Sequence, residues 1–302
     1  MTLQQLKYVI AIAECGSVNG AAQKLYLAQP SLSKAVKDLE TELGITIFYR
    51  SNKGVYLSEE GIRFLSYARQ VTEQAELLES RYKKGGSVKR TFAVSAQHYA
   101  FAVNAFVELV REYGENTYEF SLRESRTADI IEDVRTRRST LGVIYLSDFN
   151  KEVILHILRS ADLKFEPLFT AKPHVFISRA NPLAGKKSVK QQDLAPYPRL
   201  TFDQGINNSF YFAEELYITA DSPKNIVVSD RATLFNLLIG LNGYTISSGI
   251  YSADLNGESI VAVPLEGNEK MEIGYIYSPL NPLGAAGETY VAKLKECIAK
   301  YR

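Results

Sequence analysis

The segment "AQPSLSKAVK" at residues 28–37 concentrates side chains that are suited to binding chemistry. At about 100° per residue, its apolar residues and the next ones along the chain fall within a narrow arc of a helix, which leaves the lysines on the opposite side. These apolar residues are Leu32, Val36, Leu39 and Leu43. Lysines pair with phosphates or guanine edges, glutamine bridges adenine edges, and serines donate to phosphates. The outward residues are Gln29, Pro30, Ser31, Ser33, Lys34 and Lys37.

Taken alone, two lysines on a helix favour a solvated polar face over a nucleic-acid contact, so the order of the surrounding elements decides. Pro30 suits the first turn of a helix, where its missing N–H would have no partner. Two short helices are predicted before this one, and alternating residues around "SNKG" predict a hairpin after it. That is the order of a winged helix-turn-helix, in which Arg50, Asn52 and Lys53 lie beside the backbone or the minor groove.

A longer helix is predicted to follow from Ser58. Apolar residues recur in it at intervals of three and four, which indicates a coiled-coil-like seam. They are Ile62, Leu65, Ala68, Val71, Ala75, Leu78 and Tyr82. The alternatives are a helix packed on its own domain and a helix that pairs with a second copy of the chain, and its length favours pairing. The segment "RYKKGGSVKR" (81–90) then marks a boundary.

Composition excludes several classes of protein. The net charge of +1 over 302 residues leaves no polybasic coat, so any nucleic-acid contact has to be local. No apolar stretch is long enough to span a bilayer, and "MTLQQLKYVIAIAECG" lacks the pattern of a signal peptide. Cys15 and Cys297 lie far apart in the sequence and form no metal-binding motif. A reducing cytoplasm, no membrane partner, and no metal or cofactor are therefore expected.

From residue 91 onward, short β-branched runs alternate with helical stretches, including a helix predicted at about 208–218. This pattern predicts a mainly parallel sheet, or two sheets joined by crossovers. Small ligands lie at the carboxyl ends of strands in such folds. Four polar segments follow predicted strands: "SAQH" (95–98), "ESRT" (124–127), "TFDQG" (201–205) and "TISS" (245–248).

The hydroxyls, amides and Arg126 of these segments suit a small carboxylate or another oxyanion. Helix capping is an equally good explanation for Ser125, Thr127 and Ser229. The candidate ligand-binding residues are Ser95, Gln97, His98, Ser125, Arg126, Thr127, Thr201, Gln204, Ser247 and Ser248.

Residues 1 to about 66 resemble the DNA-binding region of LysR-type transcriptional regulators. The resemblance is carried by "GSVNGAAQKL", "AQPSLSKAVKDLETELGITIF" and "YRSNKGVYLSEEG", in that order and without gaps. Ser58, Ile47 and Val18 depart from the usual threonine, leucine and phenylalanine. The matching residues are Ala21, Ala22, Leu25, Gln29, Pro30, Ser33, Val36, Leu39, Glu40, Leu43, Gly44, Phe48, Arg50, Leu57 and Gly61.

Beyond residue 90, "NPLAGKKSV" and "GLNGYTISSG" resemble segments of the same family's effector domain. The resemblance implies an α+β multidomain chain: a winged helix-turn-helix at 1–58, a dimerisation and linker helix with a hinge at 59–88, and a bilobed, periplasmic-binding-protein-like α/β effector domain at 89–302. One lobe is placed at about 91–162 and 268–302, the other at about 163–267. The implied partners are double-stranded promoter DNA, a small-molecule effector, and further copies in a dimer and then a tetramer.

Three other functions agree less well with the sequence. A bilobed solute-binding protein without DNA function does not account for the N-terminal region, and another class of winged-helix regulator would lack the bilobed region. An enzyme is disfavoured, because His98, His156 and His174 are isolated and no nucleophile, phosphate-loop or dinucleotide motif is present.

Overall fold

The computed structural model describes residues 1–51, 54–83, 90–207, 209–251 and 257–301. The side chains of residues 50, 51, 77, 80–83 and 301 are outside that description as well. The chain divides into two compact units, Met1–Val88 and Lys89–Arg302. Within the described ranges, no helix has the length and hydropathy needed to cross a membrane.

The first unit contains three short helices, a hairpin and a long helix. Its elements are α1 (Leu3–Cys15), α2 (Val18–Lys24), α3 (Gln29–Leu43), β1 (Phe48–Ser51), β2 (Gly54–Leu57) and α4 (Glu59–Lys83). The strands pair antiparallel, as the winged helix-turn-helix pattern predicts. Thr2 and Gln5 form a capping box at the start of α1, and the Ser17 hydroxyl accepts from the Gly20 N–H at 3.0 Å. Pro30 lies in the first turn of α3.

The buried side of α3 agrees with the predicted arc at three of four positions. Leu32, Val36 and Leu39 are buried and pack in one cluster with residues of α1 and α2. Leu43 is 37% exposed, so its assignment to the core was wrong. It lies in the last turn, immediately before Gly44 takes the left-handed conformation (φ 67°) that ends the helix.

Glu40 ties α3 to the hairpin. Its Oε1 accepts hydrogen bonds from the N–H groups of Ile47, at 2.7 Å, and Phe48, at 3.0 Å. These N–H groups lie just before and at the start of β1. The carboxylate therefore orients the hairpin relative to the outward face of α3.

The apolar residues of α4 do not form the single seam that the sequence predicts. Leu65 and Ala68 are buried in the core of the first unit, whose α1 packs against α4. Ile62, Val71 and Leu78 are instead 60%, 47% and 61% exposed. The predicted seam thus combines buried residues that pack within their own unit with exposed residues on other sides of the helix, where Ile62 lies about 180° from Val71.

The second unit contains two five-stranded sheets, which is the second of the two predicted arrangements. Its elements are β3 (Arg90–Ala96), α5 (Ala100–Tyr113), β4 (Tyr118–Glu124), α6 (Thr127–Arg135), β5 (Leu141–Leu146), α7 (Lys151–Ser160), β6 (Lys164–Ala171), β7 (His174–Ser178), β8 (Arg199–Phe202), β9 (Asn225–Val228), α8 (Arg231–Gly240), β10 (Tyr244–Ser247), β11 (Ile260–Pro264), β12 (Met271–Tyr277) and α9 (Gly284–Tyr301). The sheet orders are β4-β3-β5-β12-β6 and β11-β7-β10-β8-β9.

Each sheet is the centre of one lobe, and two sequence predictions fail here. The second lobe was predicted to begin at about residue 163. However, β6 pairs antiparallel with β12 in the first sheet, so the chain first passes from the first lobe to the second at residues 172–173. The helix predicted at 208–218 is only a short 3₁₀ turn, Phe210–Phe212. Each sheet combines parallel and antiparallel pairs, because β12 returns between β5 and β6, and β7 lies between β10 and β11.

Gly61 tests the packing of α4 against the segment that leads into the hairpin. A Cβ at this position would overlap the backbone carbonyl of Ile47, which cannot move without disturbing the bonds to Glu40. Gly61→Ala should lower the free energy of unfolding of the first unit by about 1–3 kcal/mol. Urea denaturation followed by circular dichroism measures this, with Gly240→Ala as the control, because no atom lies within 4 Å of a Cβ built there. Equal stability of the two variants would contradict the overlap.

Candidate functional site

The outward surface of α3 brings most of the predicted nucleic-acid contacts together. Its shallow depression is lined by Gln29, Pro30, Ser33, Lys34, Lys37 and Glu40. Ser31, Lys34 and Lys37 are exposed. Within the described part of the chain, neither lysine has an ion-pair partner, so both charges face solvent.

The rest of the predicted DNA surface lies in the hairpin. Arg50 belongs to β1, but its side chain is not described, and Asn52 and Lys53 lie outside the described residues. Their proposed contacts therefore remain sequence-based predictions.

In the second unit, the four polar segments lie at the carboxyl ends of strands, and each begins within its strand, whereas it was predicted to begin after it. Strands β3, β4, β8 and β10 end at Ala96, Glu124, Phe202 and Ser247. The first two belong to one lobe and the last two to the other, so their carboxyl ends contribute to the boundary between the lobes.

A cavity of about 20 Å³ lies at this boundary, which is space for about one water molecule. Its aromatic walls are Phe176, Phe202 and Phe235. The polar side chains around it come from both lobes: His98, Tyr99, Glu214, Glu215, Arg231, Thr245 and Ser247. Of the predicted ligand-binding residues, His98 and Ser247 line it.

A chain of buried hydrogen bonds crosses from one lobe to the other beside the cavity. Gln97 accepts from the N–H of Tyr145 at 3.0 Å and donates through Nε2 to the hydroxyl of Thr127 at 2.7 Å. The N–H of Thr127 donates to Oε1 of Gln204 at 3.2 Å, and Nε2 of Gln204 donates to Glu214 at 3.2 Å. Gln97, Thr127 and Gln204, all predicted as ligand contacts, thus bind one another across the lobes.

His98 and Glu214 form the most buried charged contact of this boundary. Nδ1 of His98 lies 2.9 Å from Glu214 Oε2, and the His98 backbone N–H donates to the same oxygen at 3.0 Å. The imidazole ring stacks on Phe202, with 3.8 Å between the ring centres. Burial lowers the pKa of His98, but the hydrogen bond and charge of Glu214 outweigh it, so the net shift is upward. The contact with Glu214 thus stabilises the protonated imidazole against the effect of burial.

Two further ion pairs bridge the lobes. Glu124 at the end of β4 pairs with Arg231 at the start of α8, with 3.0 Å between Oε1 and Nε. Arg126 pairs with the carboxylate of Asp203 and also donates to its backbone carbonyl at 3.2 Å. Arg126 is the cation on which the expectation of a carboxylate ligand depends. Because it is engaged by Asp203 and does not line the cavity, that expectation loses its main support.

Three further predicted residues, which belong neither to the cavity lining nor to the hydrogen-bond chain, are Ser95, Thr201 and Ser125. Ser95 is fully buried, and its hydroxyl contacts Asp133 at 2.7 Å and Ser139 at 2.8 Å, so it belongs to a polar cluster within its own lobe. Thr201 is buried within β8. Ser125 is half-buried, and its backbone N–H closes the turn by donating to the carbonyl of Ala96 at 2.9 Å.

Ser248 lines a different feature, an open groove of about 550 Å³. Lys172, His174 and Lys270 contribute its polar side, and Ile250 lines both this groove and the cavity. Ser247 and Ser248 are therefore neighbours in sequence that face different spaces.

The sequence patterns did not identify Glu214, Glu215 and Arg231 as residues of this site. The two glutamates lie in "FYFAEELYI", where adjacent acids between aromatic residues are a signal of burial, but the segment was predicted as an ordinary helix. Arg231 lies just beyond the carboxyl end of β9, and the rule that selected the other polar segments would have found it there.

The pH dependence of the protein's stability tests whether the carboxyl of Glu215 is buried. Burial, with the charge of Glu214 added, raises the pKa of Glu215 to about 8, compared with about 4.3 in an unfolded chain. The folded state thus holds the proton more tightly, so this contribution to stability is complete below pH 4.3 and is lost as pH rises toward 8. Glu215→Gln should remove a slope of up to about 1.4 kcal/mol per pH unit.

Urea denaturation between pH 4.5 and 8 measures that slope, and exposed Glu152→Gln is the matched control. A difference between wild type and Glu215→Gln that does not change with pH would contradict the buried, proton-holding carboxyl.

No group of three or more His, Cys, Asp or Glu side chains in the described ranges could hold a metal ion. Comparison with known proteins gives full-length relatives. The chain is 27% identical over 277 residues to the Hca operon transcriptional activator HcaR of Escherichia coli, covering 89% of this chain and 88% of that protein. It is 25% identical over 307 residues to the regulator AlsR of Bacillus subtilis, covering 98% and 91%.

Among solved structures, the Corynebacterium glutamicum OxyR C206 mutant matches with a TM-score of 0.54 and 21% identity, covering 99% of this chain and 92% of that one. At this identity the likeness concerns the fold. Two family models match the sequence itself: the lysR-family bacterial regulatory helix-turn-helix at residues 3–62, and the LysR substrate binding domain at residues 100–297. Together they cover most of the chain, which therefore belongs to the LysR family of DNA-binding transcriptional regulators with an effector-binding domain.

Proposed function

We propose that this regulator inserts the N-terminal half of α3 into the major groove of double-stranded promoter DNA. The observation that supports it is the common exposed surface of Gln29, Ser33, Lys34 and Lys37, opposite the buried side of the same helix. Ser31 and Pro30 border that surface. In the hairpin, Arg50 is proposed to bind the DNA backbone, with Asn52 and Lys53 beside it.

The second part of the proposal is control by a small molecule bound between the two lobes. The hydrogen-bond chain and three ion pairs there form one connected boundary, so a ligand that inserts among them changes the arrangement of the lobes. The relatives are transcriptional regulators, and the proposal assigns no catalytic role to these groups. We place the protein in the cytoplasm, where it reaches promoter DNA.

The third part is assembly through α4. Tyr67, Val71 and Leu78 are 69%, 47% and 61% exposed, and at about 100° per residue they lie within about 40° of one another. This stripe is separate from Leu65 and Ala68, which pack within the first unit. Two copies that pair their stripes would form a homodimer, with a tetramer as the further assembly.

Fluorescence anisotropy with DNA from upstream of the protein's own gene tests the first part. A scrambled duplex is the control, and a salt series separates phosphate contacts from base contacts. We expect tighter binding to the upstream DNA, with a steep loss of affinity as salt rises. Equal, weak binding to both duplexes and to other promoter fragments would contradict sequence-specific regulation.

Lys34→Ala tests the role of α3 in that binding. Removal of one phosphate contact should weaken binding to every duplex by a similar factor and lower the salt slope by about one. Lys187→Ala is the matched control, since Lys187 is an exposed lysine of the second unit. An unchanged slope in Lys34→Ala would place this lysine away from the DNA backbone.

A further inference from the structure

Two polar atoms on the interlobe cavity have no hydrogen-bond partner among the described residues: Oη of Tyr99 and Oε2 of Glu215. Both side chains are only 4% exposed. The other oxygen of Glu215, Oε1, accepts from the N–H of Phe202 at 2.9 Å. A buried polar atom without a partner is destabilising, and such atoms are uncommon in native proteins unless water or a ligand meets them.

The cations around the cavity are already paired with carboxylates. His98 contacts Glu214, and Arg231 contacts Glu124. An anionic ligand would have to compete with these internal carboxylates for the same cations. Glu215, in contrast, forms no ion pair within the described part of the chain, so its carboxyl is the group on this cavity that a cationic ligand can pair with without displacing an internal cation.

The remaining walls also favour a positive charge. Phe176, Phe202 and Phe235 line the cavity, and the guanidinium of Arg231 already lies 5.9 Å from the ring centre of Phe235. Aromatic faces attract cations through the negative charge of their π systems, most strongly where water is excluded. Burial raises the pKa of Glu215 to about 8, so a nearby cation would stabilise its ionised form.

We propose that the cavity binds the protonated amino group of a small effector, with Glu215 as the counter-ion and Tyr99 as a second hydrogen-bond acceptor. The inference rests on the proposed function, in which an effector binds between the lobes. An ammonium group offers three N–H donors and is close in size to a water molecule, so it matches a cavity of about 20 Å³. The cavity has no room for the rest of the ligand, so the lobes have to separate to admit it. This separation breaks the His98–Glu214 and Glu124–Arg231 ion pairs.

Isothermal titration of the full-length protein tests this with three probes of similar shape: benzylamine, benzyl alcohol and benzoate. Benzylamine should bind at least about tenfold more tightly than the other two. Phenylalanine is a fourth probe, because it carries the same ammonium group with a carboxylate beside it. Its affinity relative to benzylamine distinguishes an amino acid from a simple amine as the source of the group.

Two variants locate the contact. Glu215→Gln keeps the shape and should weaken benzylamine binding at least about tenfold, while Tyr99→Phe should weaken it about threefold. Glu152→Gln, on the exposed surface of α7, is the charge-matched control and should bind as wild type does. Circular dichroism and the melting temperature establish that each variant is folded.

Tighter binding of benzoate than of benzylamine overturns the proposal, as does equal binding of benzylamine by wild type and Glu215→Gln. Failure of both benzylamine and phenylalanine to bind at millimolar concentration overturns it as well and leaves a structural water as the occupant of the cavity. DNA anisotropy on the same samples separates the two proposals. Specific DNA binding without amine binding overturns only this inference, and amine binding without specific DNA binding overturns only the proposed mechanism of regulation.

Discussion

The carboxylate of Glu214 holds the two lobes of the larger unit together. It accepts from the backbone N–H of His98 and from the amide of Gln204, and it contacts the His98 ring. It is 5% exposed, and a buried carboxylate is stable only where hydrogen bonds and a positive charge replace water. The hydrogen-bond chain beside the cavity starts at this carboxylate, because Gln204 in turn binds Thr127, and Thr127 binds Gln97.

Such a boundary suits a protein whose lobes respond to a ligand. Each hydrogen bond contributes a net stabilisation of only about 1 kcal/mol, and the Arg126–Asp203 pair is partly exposed, so the closed contacts are individually weak. A ligand that supplies comparable contacts can therefore replace them. At the same time, a partly replaced network leaves buried polar groups unpaired, which makes intermediate arrangements costly. The boundary thus favours discrete arrangements over gradual change.

In the first unit, polar contacts to the backbone support the proposed DNA-binding surface. Glu40 binds the hairpin through two backbone N–H groups, and Ser58 binds the carbonyl of Thr46 and the N–H of Gly61. Both residues match or nearly match the family pattern, and both act on the backbone. Lys34 and Lys37 form no ion pair in the described ranges and remain available for DNA. The family motif thus combines residues that build the unit with residues that face outward.

The sequence by itself determined the features that depend on neighbouring residues: Pro30 in the first turn of α3, the buried arc of Leu32, Val36 and Leu39, and the strand ends that border the cavity. These follow from local backbone geometry and apolar spacing, which a sequence displays directly. Only the tertiary structure decided which polar groups meet. Arg126 is paired with Asp203, Ser95 bonds within its lobe, and Glu215 faces the cavity, because each partner is many residues away and is brought near only when the sheets assemble. The predictions for α4 and for residues 208–218 were wrong because they used apolar spacing alone. In α4 the spacing does not show which residues pack within the unit, and at 208–218 it does not show that only a 3₁₀ turn forms.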